Sequence, residues 1–151
     1  MKKSITLLTL FLGTLSINAQ EVHLTAGYKA AEIGYSYVAE NELIFGLSVS
    51  AVDSKLTEKR ANNNDHGKTH SFHNKYTPAA FGLIGGEFEE FSIIGKMGAA
   101  YLNQSIDGIA EPQKIYFAVG IMFDYKISNV LSIKAGYDNV NSVMVGVGIK
   151  I

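Results

Sequence analysis

The chain has 151 residues, with 13 lysines and arginines against 14 aspartates and glutamates, a near-neutral balance that gives no footing for nucleic acid. It contains no cysteine, which removes disulfides, thiolate metal sites, a lipid-anchored cysteine and cysteine catalysis together. Charged residues make up 18% of the chain, below the usual figure of about 25%, while apolar residues sit at an ordinary 47%. Much of the surface is therefore expected not to face water.

In chain order, residues 1–19 come first and have the three parts of a secretory signal: Lys2 and Lys3, an apolar stretch from Ile5 to Leu15, and the small residue Ala19 before a polar start. The apolar run is too short and too broken by Thr6, Thr9, Gly13 and Thr14 for a retained membrane helix. Cleavage is expected after Ala19, leaving residues 20–151 as one domain.

Eight segments then show strand composition or period-two alternation, near 22–29, 31–38, 42–52, 79–88, 91–105, 114–127, 131–138 and 142–151. None of the sequence beyond residue 19 has a convincing helical period. The segment KIYFAVGIMFDYKI, 114–127, shows the pattern best: its odd positions run Ile115, Phe117, Val119, Ile121, Phe123, Tyr125 and Ile127. The partner positions are small or polar, and most of the fifteen glycines fall inside these strands.

Connections alternate in kind. The links 39–41, 89–90 and 128–130 are tight, whereas the other set holds the pair Ala30–Ala31, the long segment 53–78, the segment 107–113, and 139–141. Short turns thus fall on the side of the termini and both long loops on the other.

Two closures fit eight alternating strands. A soluble, lipocalin-like barrel binding an apolar ligand turns its apolar row inward and coats its outside with Lys, Glu and Thr; a membrane barrel turns the same row outward and fills a narrow interior. Gly, Ser and Ala make no such coat, so the odd row of 114–127 is expected to face lipid. Aromatics at both strand ends, Tyr28, Tyr101 and Tyr137 on one side, Tyr37, Phe88, Phe91, Phe123 and Tyr125 on the other, agree with interfacial belts.

The signal, the eight strands, the asymmetric loops and the Gly-rich VGVGIKI end resemble the small outer-membrane β-barrel family, OmpA/OmpX-like in shape. The resemblance implies an all-β, eight-stranded antiparallel up-and-down transmembrane barrel in the outer membrane of a two-membrane bacterium. It also implies a monomer with lipid bilayer and outer-membrane lipid as partners, no cofactor, and a structural or surface-interaction role. Ile151 departs from the aromatic residue that often ends such chains.

With the apolar rows outward, Glu32, Lys96, Asp124, Lys134 and Lys150 point into the lumen, where charge needs a partner. Inward-to-inward registers place Asp124 opposite both Lys96 and Lys134, giving an expected structural ion network of Lys96, Asp124 and Lys134 across neighbouring strands. Lys29 and Glu32 form a secondary pair across the first link. Such a network plugs the interior rather than opening a pore.

The segment 53–78 lacks alternation and is expected to project outside the cell, where it could meet an extracellular partner. It carries His66, His70 and His73 in the spacing H-x3-H-x2-H, the weak metal candidates of the sequence. No acid sits between them and Gly67 speaks against a preformed helix, so no metal site is assigned. Nor is an enzyme: His23 stands alone, and no G-x-S-x-G, phosphate loop or pair of acids in a cleft appears.

Overall fold

The alternation of the sequence becomes a division between two faces of one wall. In β1 (Gln20–Gly27) Glu21, His23 and Thr25 are buried, while Val22, Leu24 and Ala26 are exposed. The computed structural model describes residues 20–55, 70–72, 75–102, 104–106, 109–110 and 114–151. The expected signal segment and most of the 53–78 loop lie outside these residues.

The described strands are β1, β2 (Ala30–Val38), β3 (Leu43–Asp53), β4 (His70–Phe72), β5 (Tyr76–Phe88), β6 (Phe91–Leu102), β7 (Gln104–Ile106), β8 (Ile109–Ala110), β9 (Lys114–Lys126), β10 (Leu131–Asp138) and β11 (Ser142–Lys150). Eight of them close an antiparallel barrel in the order β1-β11-β10-β9-β6-β5-β3-β2, so every long strand has two neighbours and the barrel wall has no free edge.

Polarity is inverted relative to a soluble protein. Outside, Leu47 is 71% exposed, Ile115 75% and Phe117 65%; inside, Lys134 and Asp138 are 0% exposed. A contiguous apolar surface of this extent, running around every strand of the wall, does not suit water. Inside, Phe81, Leu83, Ile94 and Met122 pack among the polar side chains, and Val52, Ala79, Ala100, Ala118, Val140 and Met144 are also buried.

Tight turns join β2 to β3, β5 to β6 and β9 to β10 at the end where Gln20 and Ile151 meet, the Ile151 amide donating to the Gln20 carbonyl at 2.9 Å. Glu42 and Glu89 take left-handed backbone angles in the first two. In the third, Ser128 Oγ accepts from the Leu131 amide at 3.0 Å.

Three connections differ from the sequence reading. The first hairpin turns at Tyr28–Lys29, not at Ala30–Ala31, because Gly27 pairs with Ala30 and closes a two-residue loop in which Lys29 takes φ 56°. β6 ends at Leu102 rather than 105: Leu102 pairs with Lys114, and Gln104–Ile106 instead pair with His70–Phe72. The long connections thereby contribute a second, three-stranded sheet, β4-β7-β8, so segment 53–78 contains a strand and is narrowed further by β5 starting at Tyr76.

Candidate functional site

The chemistry-bearing side chains gather in the lumen as two buried clusters and a third at its terminal-side mouth. In the cluster nearer the long loops, Lys96 Nζ lies 2.6 Å from Glu32 Oε2 and 2.7 Å from Asp138 Oδ2, with its ammonium 4.3 Å from the centre of the Phe81 ring. Asn141 Nδ2 donates to the same two oxygens at 3.2 and 3.0 Å, and its Oδ1 accepts from Ser50 Oγ at 3.0 Å. Asp138 Oδ1 accepts from the backbone amides of Val140 and Asn141, which fixes the β10–β11 turn to the cluster.

The second cluster lies nearer the termini. Lys134 Nζ is 2.6 Å from Glu21 Oε1 and 3.0 Å from Asp124 Oδ2, and Ser132 Oγ donates to Glu21 Oε2 at 2.9 Å. At the mouth, Lys126 contacts Glu87 and donates to the Glu89 carbonyl, while Lys150 Nζ stands 4.0 Å from Glu87 Oε2. Each buried ammonium therefore lies between two carboxylates, the arrangement that a narrow lumen requires if charge is to be kept out of water.

Glycines make room for these contacts. Gly120 on β9 pairs with Lys96 on one side and Asp138 on the other, and a Cβ there would collide with the Asp138 side chain. Gly148 occupies the corresponding place beside the other cluster, where a Cβ would stand 2.5 Å from both Glu21 Cδ and Ser132 Oγ. Their missing side chains let long ionic ones cross the interior.

Of the network expected from sequence, the structure brings Asp124 and Lys134 together and separates Lys96 from both. Lys96 pairs with Gly120, and Asp124 with Ser92, so the expected Lys96–Asp124 register is off by four residues, roughly 13 Å along the strands. The even shift keeps both residues inward and changes their axial positions, because pairing stops at Leu102–Lys114 and residues 103–113 form a longer connection than the sequence reading gave.

Lys29 and Glu32 do not pair either. The turn shift sets Lys29 at the outer rim, 3.7 Å from Asp53 Oδ2, while Glu32 points to the lumen and Lys96. Glu21, Asp138, Asn141 and Glu87 were absent from the sequence-derived network. Glu21 shares the parity of His23, and Asp138 that of Lys134, so alternation was the signal that could have found them; Glu21 lies just before the first expected strand and Asp138 at the last residue of the seventh.

His23 is buried between the two inner clusters, its Nε2 4.0 Å from Glu32 Oε1, and among the described residues neither ring nitrogen makes a hydrogen bond. Of the loop histidines, His66 and His73 lie outside the described residues, and His70 is placed only as backbone at the start of β4. Among the described residues no group of three or more His, Asp or Glu is arranged to hold a metal.

No protein-family model matches the chain, and no curated protein matches it in sequence. Solved structures do match its fold. A de novo designed transmembrane β-barrel superposes with a TM-score of 0.55 at 14% identity, covering 90% of this chain and 98% of the design. The outer membrane protein Ail of Yersinia pestis, in a phospholipid bilayer nanodisc, gives 0.53 at 16% identity over 88% of this chain and 97% of Ail. The N-terminal β-barrel domain of Pseudomonas aeruginosa OprF gives 0.52 at 12% identity over 89% and 98%. At these identities the likeness concerns architecture: this chain has the fold of the small, eight-stranded outer-membrane β-barrels.

Proposed function

We propose that the protein is an integral outer-membrane barrel, exported through its signal segment, that works as a monomeric structural and surface-presenting element without catalysis and without an open pore. One observation carries the reading: the apolar rows face outward on all eight wall strands while paired ions lie in the interior. Side chains of that polarity suit acyl chains outside and a narrow interior of paired charges, as eight strands leave little room beyond what side chains fill. The soluble, ligand-carrying barrel needs the opposite orientation, with the valines and isoleucines inward.

Loops on the side opposite the termini, including the β4-β7-β8 sheet, supply the surface through which an extracellular partner would be met. Fractionation tests the location: the protein should resist carbonate extraction from outer membranes and migrate on gels in a heat-modifiable way. Recovery in periplasmic or culture fluid would overturn the proposal. Planar-bilayer recordings test the plug, and no discrete conductance steps are expected.

A further inference from the structure

Outside the lumen, cations collect at one place on the long-loop rim. Among the described residues there, Lys29 in the β1–β2 turn, Lys55 just past β3 and Lys75 just before β5 stand against a single acid, Asp53, and all three lysines are exposed. Backbone hydrogen bonds hold the site together: the Asp53 amide donates to the Lys29 carbonyl and the Ser54 amide to the Lys75 carbonyl, both at 3.0 Å. Between them lies a recess of about 720 Å³, lined by Gly27, Lys29, Ala31, Ala51, Asp53 and Lys75 among others.

The two lysines flanking the recess are set by aromatic rings. Lys29 Nζ lies 5.6 Å from the Tyr28 ring centre, and Lys75 Nζ lies 5.3 Å from that of Tyr76. Both tyrosines are exposed at the strand ends, the depth at which such rings meet lipid headgroups. The opposite rim has Glu40, Glu42, Glu89 and Glu90 exposed, so among the described residues the cationic bias belongs to the long-loop rim.

An apolar recess adjoins the charged one. Along β3 and β5, two to four residues nearer the strand middles, Val49, Pro78, Ala80, Ala99, Tyr101 and Ile115 line a second hollow of about 370 Å³. Its floor is shallow because Ala51 pairs with Pro78 and Ala80 with Ala99, where other strands present Leu, Ile and Phe outward. A positive recess above an apolar one on the outer wall has the shape and polarity of a single amphiphile.

We propose that this site binds the phosphorylated headgroup of an outer-leaflet lipid between Lys29 and Lys75, with acyl chain lying over the Ala51–Ala80–Ala99 wall. Phosphate meets the point charges of the ammonium groups, and Asp53 keeps Lys29 at the rim. A second copy of this chain docking on the same wall would bring two lysine sets together and is disfavoured. Free phosphate would leave the apolar hollow unused. The inference rests on the outer-membrane reading above.

The test is lipid retention by the purified full-length barrel, read by native mass spectrometry after release from nanodiscs. Phosphatidylcholine discs would carry either a phosphorylated lipid A or the same lipid after dephosphorylation. The phosphorylated lipid should stay bound and the dephosphorylated one should not. Lys29→Ala with Lys75→Ala should weaken retention roughly tenfold to thirtyfold, from about 1 kcal/mol per lysine near an anionic surface. Lys29→Arg with Lys75→Arg should keep it, and heat-modifiable migration of every variant confirms that it is folded. Equal retention of both lipids, displacement by inorganic phosphate at matched concentration, or lipid-free dimers would each overturn the site. Failure of carbonate-resistant fractionation would instead overturn the membrane reading, so the two are separable.

Discussion

Lys96 and Glu32 come from strands three places apart around the barrel wall and meet across the lumen, Nζ to Oε2 at 2.6 Å. No hydrogen-bonded strand pairing joins β2 to β6; only closure of the barrel makes them neighbours. Asp138 completes the contact from β10, so one ammonium ties three separate strands. Fully buried, the contact is a single structural unit whose parts depend on each other.

Removing the lysine alone should therefore be severe. Lys96→Met leaves Glu32 and Asp138 facing each other without a cation, and a loss of about 3 to 5 kcal/mol is expected. Urea unfolding of the barrel in lipid vesicles checks it. Lys96→Met combined with Glu32→Gln and Asp138→Asn should recover most of that loss, since no uncompensated charge remains.

Asp124→Asn should cost less, about 1 to 3 kcal/mol, because Lys134 loses one of its two charged partners and keeps the other. Lys134 keeps Glu21 at 2.6 Å, and Lys96 does not touch Asp124 at all. The same unfolding assay separates the variants: a midpoint shift for Asp124→Asn equal to that of Lys96→Met would show the clusters to be coupled more tightly than their contacts indicate.

Gly120→Val tests the space between Lys96 and Asp138. Its Cβ alone would strike the Asp138 side chain, and overpacking of this kind typically costs about 1 to 3 kcal/mol. Gly82, whose nearest neighbour to an added Cβ is 3.6 Å away, is the matched control, and Gly82→Ala should leave the unfolding midpoint nearly unchanged.

The outer face gives the sharpest test of orientation. Ile121 is outward near the middle of β9 and Ile115 outward near its loop end. Ile121→Arg should make insertion into vesicles less favourable by about 2 to 4 kcal/mol, and Ile115→Arg by about 1 or less. Equal, small effects at both positions would mean that this wall meets water.

The strands, their two faces and the sorting of short and long links were legible because they are local properties. A period of two is carried by each strand alone: Val143, Val145 and Val147 face outward whatever β11 pairs with. Asp124 opposite Lys134 was legible for the same reason, since a short turn joins their strands and fixes the register. Lys96 was misplaced because its register depends on how much of residues 103–113 leaves the wall, and parity cannot count an even slip.

Sequence by itself thus determined which residues face inward and that those inward charges had to be satisfied within the lumen. Tertiary structure decided which charge satisfies which: Lys96 with Glu32 and Asp138, Lys134 with Glu21 and Asp124. The physical reason is that alternation is set by backbone geometry within a strand, whereas contacts across the lumen depend on closure and axial offset, and these belong to all eight strands at once.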